Sequence, residues 1–177
     1  MGGRPKGRLA VPETAEPIVD ALVRRAREVG LAPILVGDAQ AYADLAPGVP
    51  RVPDAPAGIG PLGGLAAALA AAGDRTLVTV ACDMPHAGEA VLRRLLDAPG
   101  RSPVLAPRHG DAGPWEPLLA RWDPPRVRPA LAGALEAGER SFQRLLERLD
   151  PDVLPIDADI ARALEDWDRP EDLSRPW

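Results

Sequence analysis

Residues 74–85 read Asp-Arg-Thr-Leu-Val-Thr-Val-Ala-Cys-Asp-Met-Pro. Within them, residues 76–81 form a β-branched and apolar run, the pattern of a buried strand. The run stops at Cys82-Asp83-Met84-Pro85, because Pro85 has no amide donor and pushes Met84 towards an extended conformation. Asp83 is therefore left at the carboxyl end of a buried strand. Open α/β sheets bind their ligands at that end. A carboxylate there is a hard oxygen ligand, suited to Mg²⁺ carrying a nucleotide's phosphates. Asp also caps helices, so the residue by itself supports either role.

The flanking sequence gives this strand its context. Upstream, residues 13–29 carry Ile18, Leu22, Val23 and Ala26 at helical spacing, with Gly30 as a natural stop. A short buried strand is expected over 32–36, ending at Gly37-Asp38, and one or two helical turns over 39–45. The prolines at 47, 50, 53 and 56 make residues 49–53 an edge or extended segment that ends at Asp54. Residues 54–64 then form a glycine-rich turn opening a helix over 65–72, with Pro61 suited to its start. The amides of that turn can face an anionic ligand. Alternatively, Gly63 and Gly64 only let the helix pack closely on the sheet.

Downstream, the periodicity predicts helices over 88–96, 126–137 and 141–149, and strands over 103–106, 115–122 and 153–156. An acidic turn over 165–173 leads into a short terminal helix. Strand and helix alternate through the first hundred residues, which means βαβ units and a mostly parallel sheet. With no internal repeat and no linker, residues 1–177 read as one α/β domain.

Composition narrows the function classes. The 177 residues are 46% hydrophobic, so the chain is able to build a core. A net charge of −5 argues against a nucleic-acid surface, which needs a basic face. One cysteine and two histidines make neither an internal disulfide nor a zinc centre. No apolar run approaches the roughly 20 residues of a membrane span, and no signal-like start is seen, so a cytoplasmic protein is expected. The basic residues are 20 Arg and one Lys, Lys6. Where composition turns lysine into arginine, the one retained lysine marks a site needing a compact ammonium. Lys6 lies in the Gly/Pro-rich stretch Met1-Gly2-Gly3-Arg4-Pro5-Lys6-Gly7, which is either a phosphate-binding loop or a frayed terminus.

These residues resemble one family, the molybdenum cofactor guanylyltransferases, a group of Rossmann-like nucleotidyltransferases. The stretch from Met1 to Gly7 is similar to the second half of that family's opening loop, Leu-Ala-Gly-Gly-x-Ser-x-Arg-Met-Gly-Gly-x-x-Lys-Gly. Gly60-Pro61-Leu62-Gly63-Gly64-Leu65 resembles its Gly-Pro-Leu-Ala-Gly-Leu turn, and Asp54 its nucleotide-contacting aspartate. Cys82-Asp83-Met84-Pro85 matches a metal-binding Cys-Asp-x-Pro, and residues 136–141 a late Ala-Gly-x-Arg segment. Residues 166–173, with Asp166 and Asp168, resemble its closing motif. The matches follow the family's order along essentially the whole chain.

The resemblance implies a three-layer Rossmann-like fold and a reaction in which GTP, held with Mg²⁺, is attacked by the terminal phosphate of molybdopterin. Pyrophosphate leaves and a guanine dinucleotide cofactor forms. It implies that Asp83 holds the metal and that Lys6 offsets phosphate charge, making these two the catalytic pair. Nucleotide binding falls to Gly2, Gly3, Lys6, Gly37, Asp54, Gly60, Pro61, Leu62 and Asp83. Asp166 and Asp168 are placed on the pterin or metal side. The implied partners are GTP, the molybdopterin substrate, and molybdopterin-delivery proteins or molybdoenzyme chaperones. The alternatives are a cytidylyl, phospholactate or sugar-phosphate nucleotidyltransferase of the same fold, and an inactive remnant serving as a binding domain.

The pattern departs at the start. Met1 aligns inside the family's glycine-rich loop, so the first strand and half of that loop are missing from the match. In the family's sheet order that strand is central. Its two neighbours are then expected to keep unpaired backbone groups, each costing about 1–3 kcal/mol when buried. Either the protein starts some 20 residues further upstream, about one strand and a half-loop, or the chain is a degenerate copy. Several other residues carry blander readings: His86 closes the loop after Asp83, Cys82 is a small core residue, Trp115, Trp122 and Trp167 pack the core, and Arg108 and His109 sit in a solvated loop.

Overall fold

The computed structural model describes residues 5–11, 14–165 and 167. Strands are β1 (Leu35–Val36), β2 (Arg51–Val52), β3 (Leu77–Val80), β4 (Val104–Pro107), β5 (Leu119–Trp122) and β6 (Asp152–Leu154). Helices are α1 (Ile18–Glu28), α2 (Pro61–Ala72), α3 (Glu89–Asp97), α4 (Pro124–Glu136), α5 (Phe142–Leu149) and α6 (Ala158–Ala163). Two 3₁₀ turns, Lys6–Arg8 and Ala39–Tyr42, complete the set among the described residues.

The helices start where proline and caps dictate. Helix α1 begins at Ile18, later than its apolar periodicity suggested, because Pro17 occupies the cap position. Helix α2 begins at Pro61, earlier than expected, since a proline in the first turn sacrifices no intrahelical bond. Helix α5 is capped by Ser141, whose Oγ accepts from the Arg144 amide at 3.4 Å. Helix α6 was not anticipated. Asp157 caps it through the Ile160 amide at 3.1 Å, and Ile160 and Ala163 are fully buried.

The strands pair in two sheets. β1 and β2 form a parallel pair, and the larger sheet runs β3-β5-β4-β6. β5 is antiparallel to both β3 and β4, while β4 and β6 are parallel. β5 is thus the reversed strand in a sheet whose other members share one direction. It is also shorter than expected, because Pro114 and Pro117 keep residues 114–118 out of the ladder and leave only a bridge between Arg108 and Trp115.

Alternation along the strands builds three layers. Leu77, Val104, Ala106, Ala120 and Trp122 face α2, α4 and α5. Val78, Val80, Leu105, Leu119 and Leu154 face the opposite way, towards α3, α6 and Leu22 of α1. Trp122 is completely buried and its indole Nε1 donates to Thr79 Oγ1 at 2.9 Å, which ties β5 to β3. Trp115, Trp122 and Trp167 are all packing residues, each below 7% exposed. No helix among the described residues is long and apolar enough to cross a membrane.

Candidate active site

Strand β3 ends at Val80, and the chain then turns through Cys82-Asp83-Met84-Pro85 as the proline requires. Three elements hold that turn. Arg25 of α1 donates through Nη1 to the Pro85 carbonyl at 2.5 Å. The Trp167 amide donates to the Asp83 carbonyl at 3.2 Å. His86, whose side chain is 8% exposed, lies edge-on to the Trp167 ring at 6.0 Å and 4.0 Å from Glu165. His86 therefore closes the loop, as expected.

Asp83 does not cap the helix that follows it. The cap position of α3 belongs to Gly88, and no side chain bonds there. Instead the Asp83 carboxylate, 22% exposed, accepts from Lys6 Nζ at 2.9 Å. The only lysine in the chain has thus crossed 77 positions of sequence to reach the carboxyl end of β3.

The N-terminal loop is pinned rather than draped. Arg8 donates through Nε to the Ala41 carbonyl at 2.7 Å and pairs through both guanidinium ends with Asp44. Gly7 lies flat against the only tyrosine: a Cβ on Gly7 would come within 2.9 Å of the Tyr42 ring. Leu9 and Val11 are buried with Ile18, Ala21 and Trp167. Gly7 and Arg8 fix the 3₁₀ turn that presents Lys6.

Opposite Asp83 stands the glycine-rich turn. Asp54 Oδ1 lies 3.2 Å from where a Cβ on Gly64 would sit and 3.8 Å from the corresponding point on Gly37. Gly37 takes φ +106°, a conformation that disfavours side chains, and donates its amide to Val52 at 3.0 Å. Gly63 is equally constrained, since a Cβ there would fall 2.5 Å from the Pro56 carbonyl oxygen. A cleft of about 490 Å³ joins these parts, lined among others by Gly37, Asp38, Tyr42, Asp54, Pro61 and Asp83. That volume lies in the roughly 300–1,000 Å³ range of small-molecule sites.

Of the residues singled out in the sequence, Lys6, Gly37, Asp54, Pro61 and Asp83 meet around this cleft or in contact with its wall. Gly60 stands exposed at the α2 cap with φ +79°. The Leu62 side chain is fully buried with Leu65, Leu69 and Trp122 in one core cluster, so only its backbone can face a ligand. Gly2, Gly3, Asp166 and Asp168 lie outside the described residues.

Sequence reasoning missed Tyr42. Its hydroxyl contacts Cys82 Sγ at 3.3 Å, and burial, followed by that thiol contact, pushes its pKa up to about 12. Cys82 is half-buried beyond the strand, not a core residue. The available signal was composition: one tyrosine in a chain with 3% aromatics.

The volume of the cleft and the carboxylate at its wall would suit a nucleotide carrying a divalent cation. No cluster of three or more potential protein ligands exists among the described residues. One half-buried carboxylate beside an ammonium fits Mg²⁺ nonetheless, because Mg²⁺ usually binds through one or two carboxylates plus substrate phosphates and waters. Asp83 is the donor that would contact it.

Away from this cleft, the loop 108–113 matches its bland reading. Arg108 lies over the Trp115 ring at 4.7 Å and bonds the Gly113 carbonyl at 3.0 Å, while His109 meets Glu116 at 2.8 Å.

The profile of the MobA-like NTP transferase domain matches residues 1–153. The molybdenum cofactor guanylyltransferase of Pseudomonas fluorescens (strain SBW25) is 35% identical over 181 residues, covering 99% of this chain and 86% of that protein. The probable molybdenum cofactor guanylyltransferase of Opitutus terrae is 32% identical over 98% of this chain and 87% of its own length. Among solved structures, molybdopterin-guanine dinucleotide biosynthesis protein A of Archaeoglobus fulgidus superposes with TM-score 0.74 at 22% identity, over 98% of this chain and 91% of that one. The 2-C-methyl-D-erythritol 4-phosphate cytidylyltransferase of Thermus thermophilus gives TM-score 0.71 at 19% identity, over 97% and 91%. The two superpositions establish the shared fold.

Proposed function

The chain belongs to the MobA-like NTP transferase domain family, and on that premise we propose that it transfers GMP from GTP to the terminal phosphate of molybdopterin. The observation that carries the reading is the pairing of Lys6 with Asp83 at the carboxyl end of β3, facing Asp54 and the glycine-rich turn across one cleft. Relatives that align with nearly the whole chain are named for guanylyl transfer to this cofactor, which favours GTP over CTP and molybdopterin over a sugar phosphate.

An oxygen of the acceptor phosphate forms a bond to the α-phosphorus while the bond to the β-phosphate bridging oxygen breaks. Pyrophosphate carries away the electron pair. A phosphate monoester is largely dianionic at neutral pH, so its attacking oxygen needs no general base. Catalysis then rests on alignment and on offsetting negative charge, as in phosphoryl transfer generally.

Asp54 and the Gly37 and Gly60 backbones position the nucleoside. Pro61 and the Leu62 amide line the start of α2, where the helix dipole favours anionic groups. Lys6 leaves Asp83 for the triphosphate when nucleotide arrives. Asp83 would hold Mg²⁺, which would supply charge neutralisation of the phosphates. The family resemblance assigns Gly2 and Gly3 to nucleotide binding and Asp166 and Asp168 to the pterin or metal side, and the same reading keeps those roles. Delivery of molybdopterin by a carrier protein or a molybdoenzyme chaperone, in the cytoplasm, belongs to the same reading.

Calorimetric titration with GTP, with and without Mg²⁺, tests it. GTP is expected to bind with Mg²⁺ dependence and in preference to CTP, and Asp83→Ala is expected to abolish that dependence. Incubation with GTP and molybdopterin should release pyrophosphate. Absence of both GTP binding and pyrophosphate release would refute the assignment.

A further inference from the structure

The chain's only lysine, only tyrosine and only cysteine belong to one run of contacts. Lys6 Nζ donates to Asp83 at 2.9 Å. The residue after Lys6, Gly7, lies flat on the Tyr42 ring. The residue before Asp83, Cys82, meets the Tyr42 hydroxyl at 3.3 Å. One phenol ring therefore stands between the two stretches of backbone whose side chains form the ion pair. The contacts close a circuit, Lys6-Gly7-Tyr42-Cys82-Asp83, in which Tyr42, Cys82 and Asp83 all line the cleft.

The ring fits closely on one side and is held from behind. Gly7 does not take a left-handed φ, so its own backbone does not call for glycine. What excludes a side chain is the phenol: an added Cβ would stand 2.9 Å from Tyr42 Cε1 and 3.2 Å from its Oη. Tyr42 ends the 3₁₀ turn Ala39–Tyr42, whose cap, Asp38, accepts from the Gln40 amide at 3.0 Å. Arg8 Nε donates to the Ala41 carbonyl at 2.7 Å, and Arg51 Nη2 to the Tyr42 carbonyl at 2.9 Å. Arg51 also reaches the Leu45 and Val49 carbonyls at 2.7 and 3.1 Å. Two arginines thus fix the backbone from which the phenol projects. A half-buried ring anchored in this way, with its free end between two loops, acts as a spacer between them.

We propose that Tyr42 is a positioning residue for the transfer reaction, setting the spacing of the Lys6 and Asp83 backbones through Gly7 on one side and Cys82 on the other. This role rests on the function proposed for the cleft. There Lys6 and Asp83 part to serve one triphosphate, the ammonium on the phosphates and the carboxylate towards the metal. Once the ion pair opens, it no longer fixes the distance between its own two loops. The Tyr42 contacts are made to the neighbouring residues, so they survive that opening. A reacting group misplaced by about 1 Å costs about 100-fold in rate. The nucleoside side of the cleft, with Asp54 and Pro61, does not depend on the ring, so the effect falls on turnover and leaves KM for GTP alone.

Tyr42→Phe keeps the ring under Gly7 and removes the contact to Cys82, and Cys82→Ala removes the same contact from the other side. In steady-state pyrophosphate release each is expected to lower kcat about tenfold, with KM for GTP within about twofold of the parent. The double variant should lose no more than either single one, because all three delete one contact. Cys82→Ser restores a polar partner and should recover most of the loss. A second readout needs neither nucleotide nor acceptor. Lys6 is the only lysine, so protein labelled with carbon-13 lysine gives one side-chain signal set, whose relaxation reports the order of that side chain. Order is expected to fall in Tyr42→Phe and Cys82→Ala towards that of Asp83→Asn. It should stay at the parent level in Leu146→Val, which only thins the buried face of α5. A parent that releases no pyrophosphate defeats the assigned function, and the lysine signal then decides the spacing role by itself. Parent-like lysine order in both variants overturns the proposal. In a parent that turns over, so does an unchanged kcat, or a double variant whose loss is the product of the two single losses.

Discussion

Gly63→Ala adds one methyl group to the third residue of α2, and its consequence follows from what that methyl would meet. It would lie 2.5 Å from the Pro56 carbonyl oxygen and 2.9 Å from Ile59 Cγ1. The first contact is backbone, so relief requires moving the 56–60 turn that precedes Pro61. Overpacking of this kind costs about 1–3 kcal/mol. Replacing a helical glycine by alanine returns up to about 1 kcal/mol of helix propensity. The net destabilisation is about 1–2 kcal/mol. For a domain of this size each kcal/mol shifts Tm by about 2–4 °C, so a fall of about 2–8 °C is expected by calorimetry. Gly133→Ala in α4 is the matched comparison, because nothing lies within 4 Å of its added Cβ. There the propensity gain stands alone, and Tm should rise by about 2–4 °C. A Gly63→Ala protein as stable as the parent, with Gly133→Ala behaving as stated, would refute the close-approach argument.

Other outcomes are as specific. Asp83→Asn keeps the shape of the turn and removes the metal-binding charge, and should lower kcat/KM for GTP by roughly 10²–10³-fold; a steady-state pyrophosphate assay within tenfold of wild type would contradict the role given to Asp83. Tyr42 is the only tyrosine, so absorbance at alkaline pH reports it alone, with a midpoint near 12. Its folded pKa lies above the unfolded value of about 10, so its contribution to stability is complete below pH 10 and is lost as pH rises from 10 towards 12. A midpoint at the ordinary value would show that burial and Cys82 do not act on it. The Arg94 guanidinium holds the Asp157 carboxyl below the usual range, helped by the Ile160 amide. Arg94→Ala should raise that titration in carbon NMR, and acid should weaken the cap of α6 in the wild type as pH falls below the ordinary carboxylate value.

Much of this protein is legible without coordinates. The run at 76–81 closed by Pro85 fixes a buried strand with Asp83 at its carboxyl end, because β-branched packing and the missing proline amide are local properties. The helices follow from 3.6-residue periodicity and their starts from proline and caps. The errors there have equally local causes: Pro17 and Pro61 moved two starts, and Asp157 announced a helix that went unread. The family order of the glycine-rich turn, Asp54 and Cys82-Asp83-Met84-Pro85 pointed to the nucleotidyltransferase fold that the comparisons bear out.

Tertiary structure alone decided the rest. That Asp83 meets Lys6 and leaves the α3 cap to Gly88 depends on contacts far apart in sequence, for which spacing carries no signal. The same holds for Tyr42 beneath Gly7 and against Cys82, and for Leu62 turning into the core while its neighbour Pro61 lines the cleft. Strand direction is likewise non-local: β5 alternates like any buried strand, and only its partners show that it runs backwards. The gap between β1 and β3 is the largest such decision. Sequence fixes that both are strands, because side-chain pattern is local. Which edge amides find partners is a property of the assembled sheet.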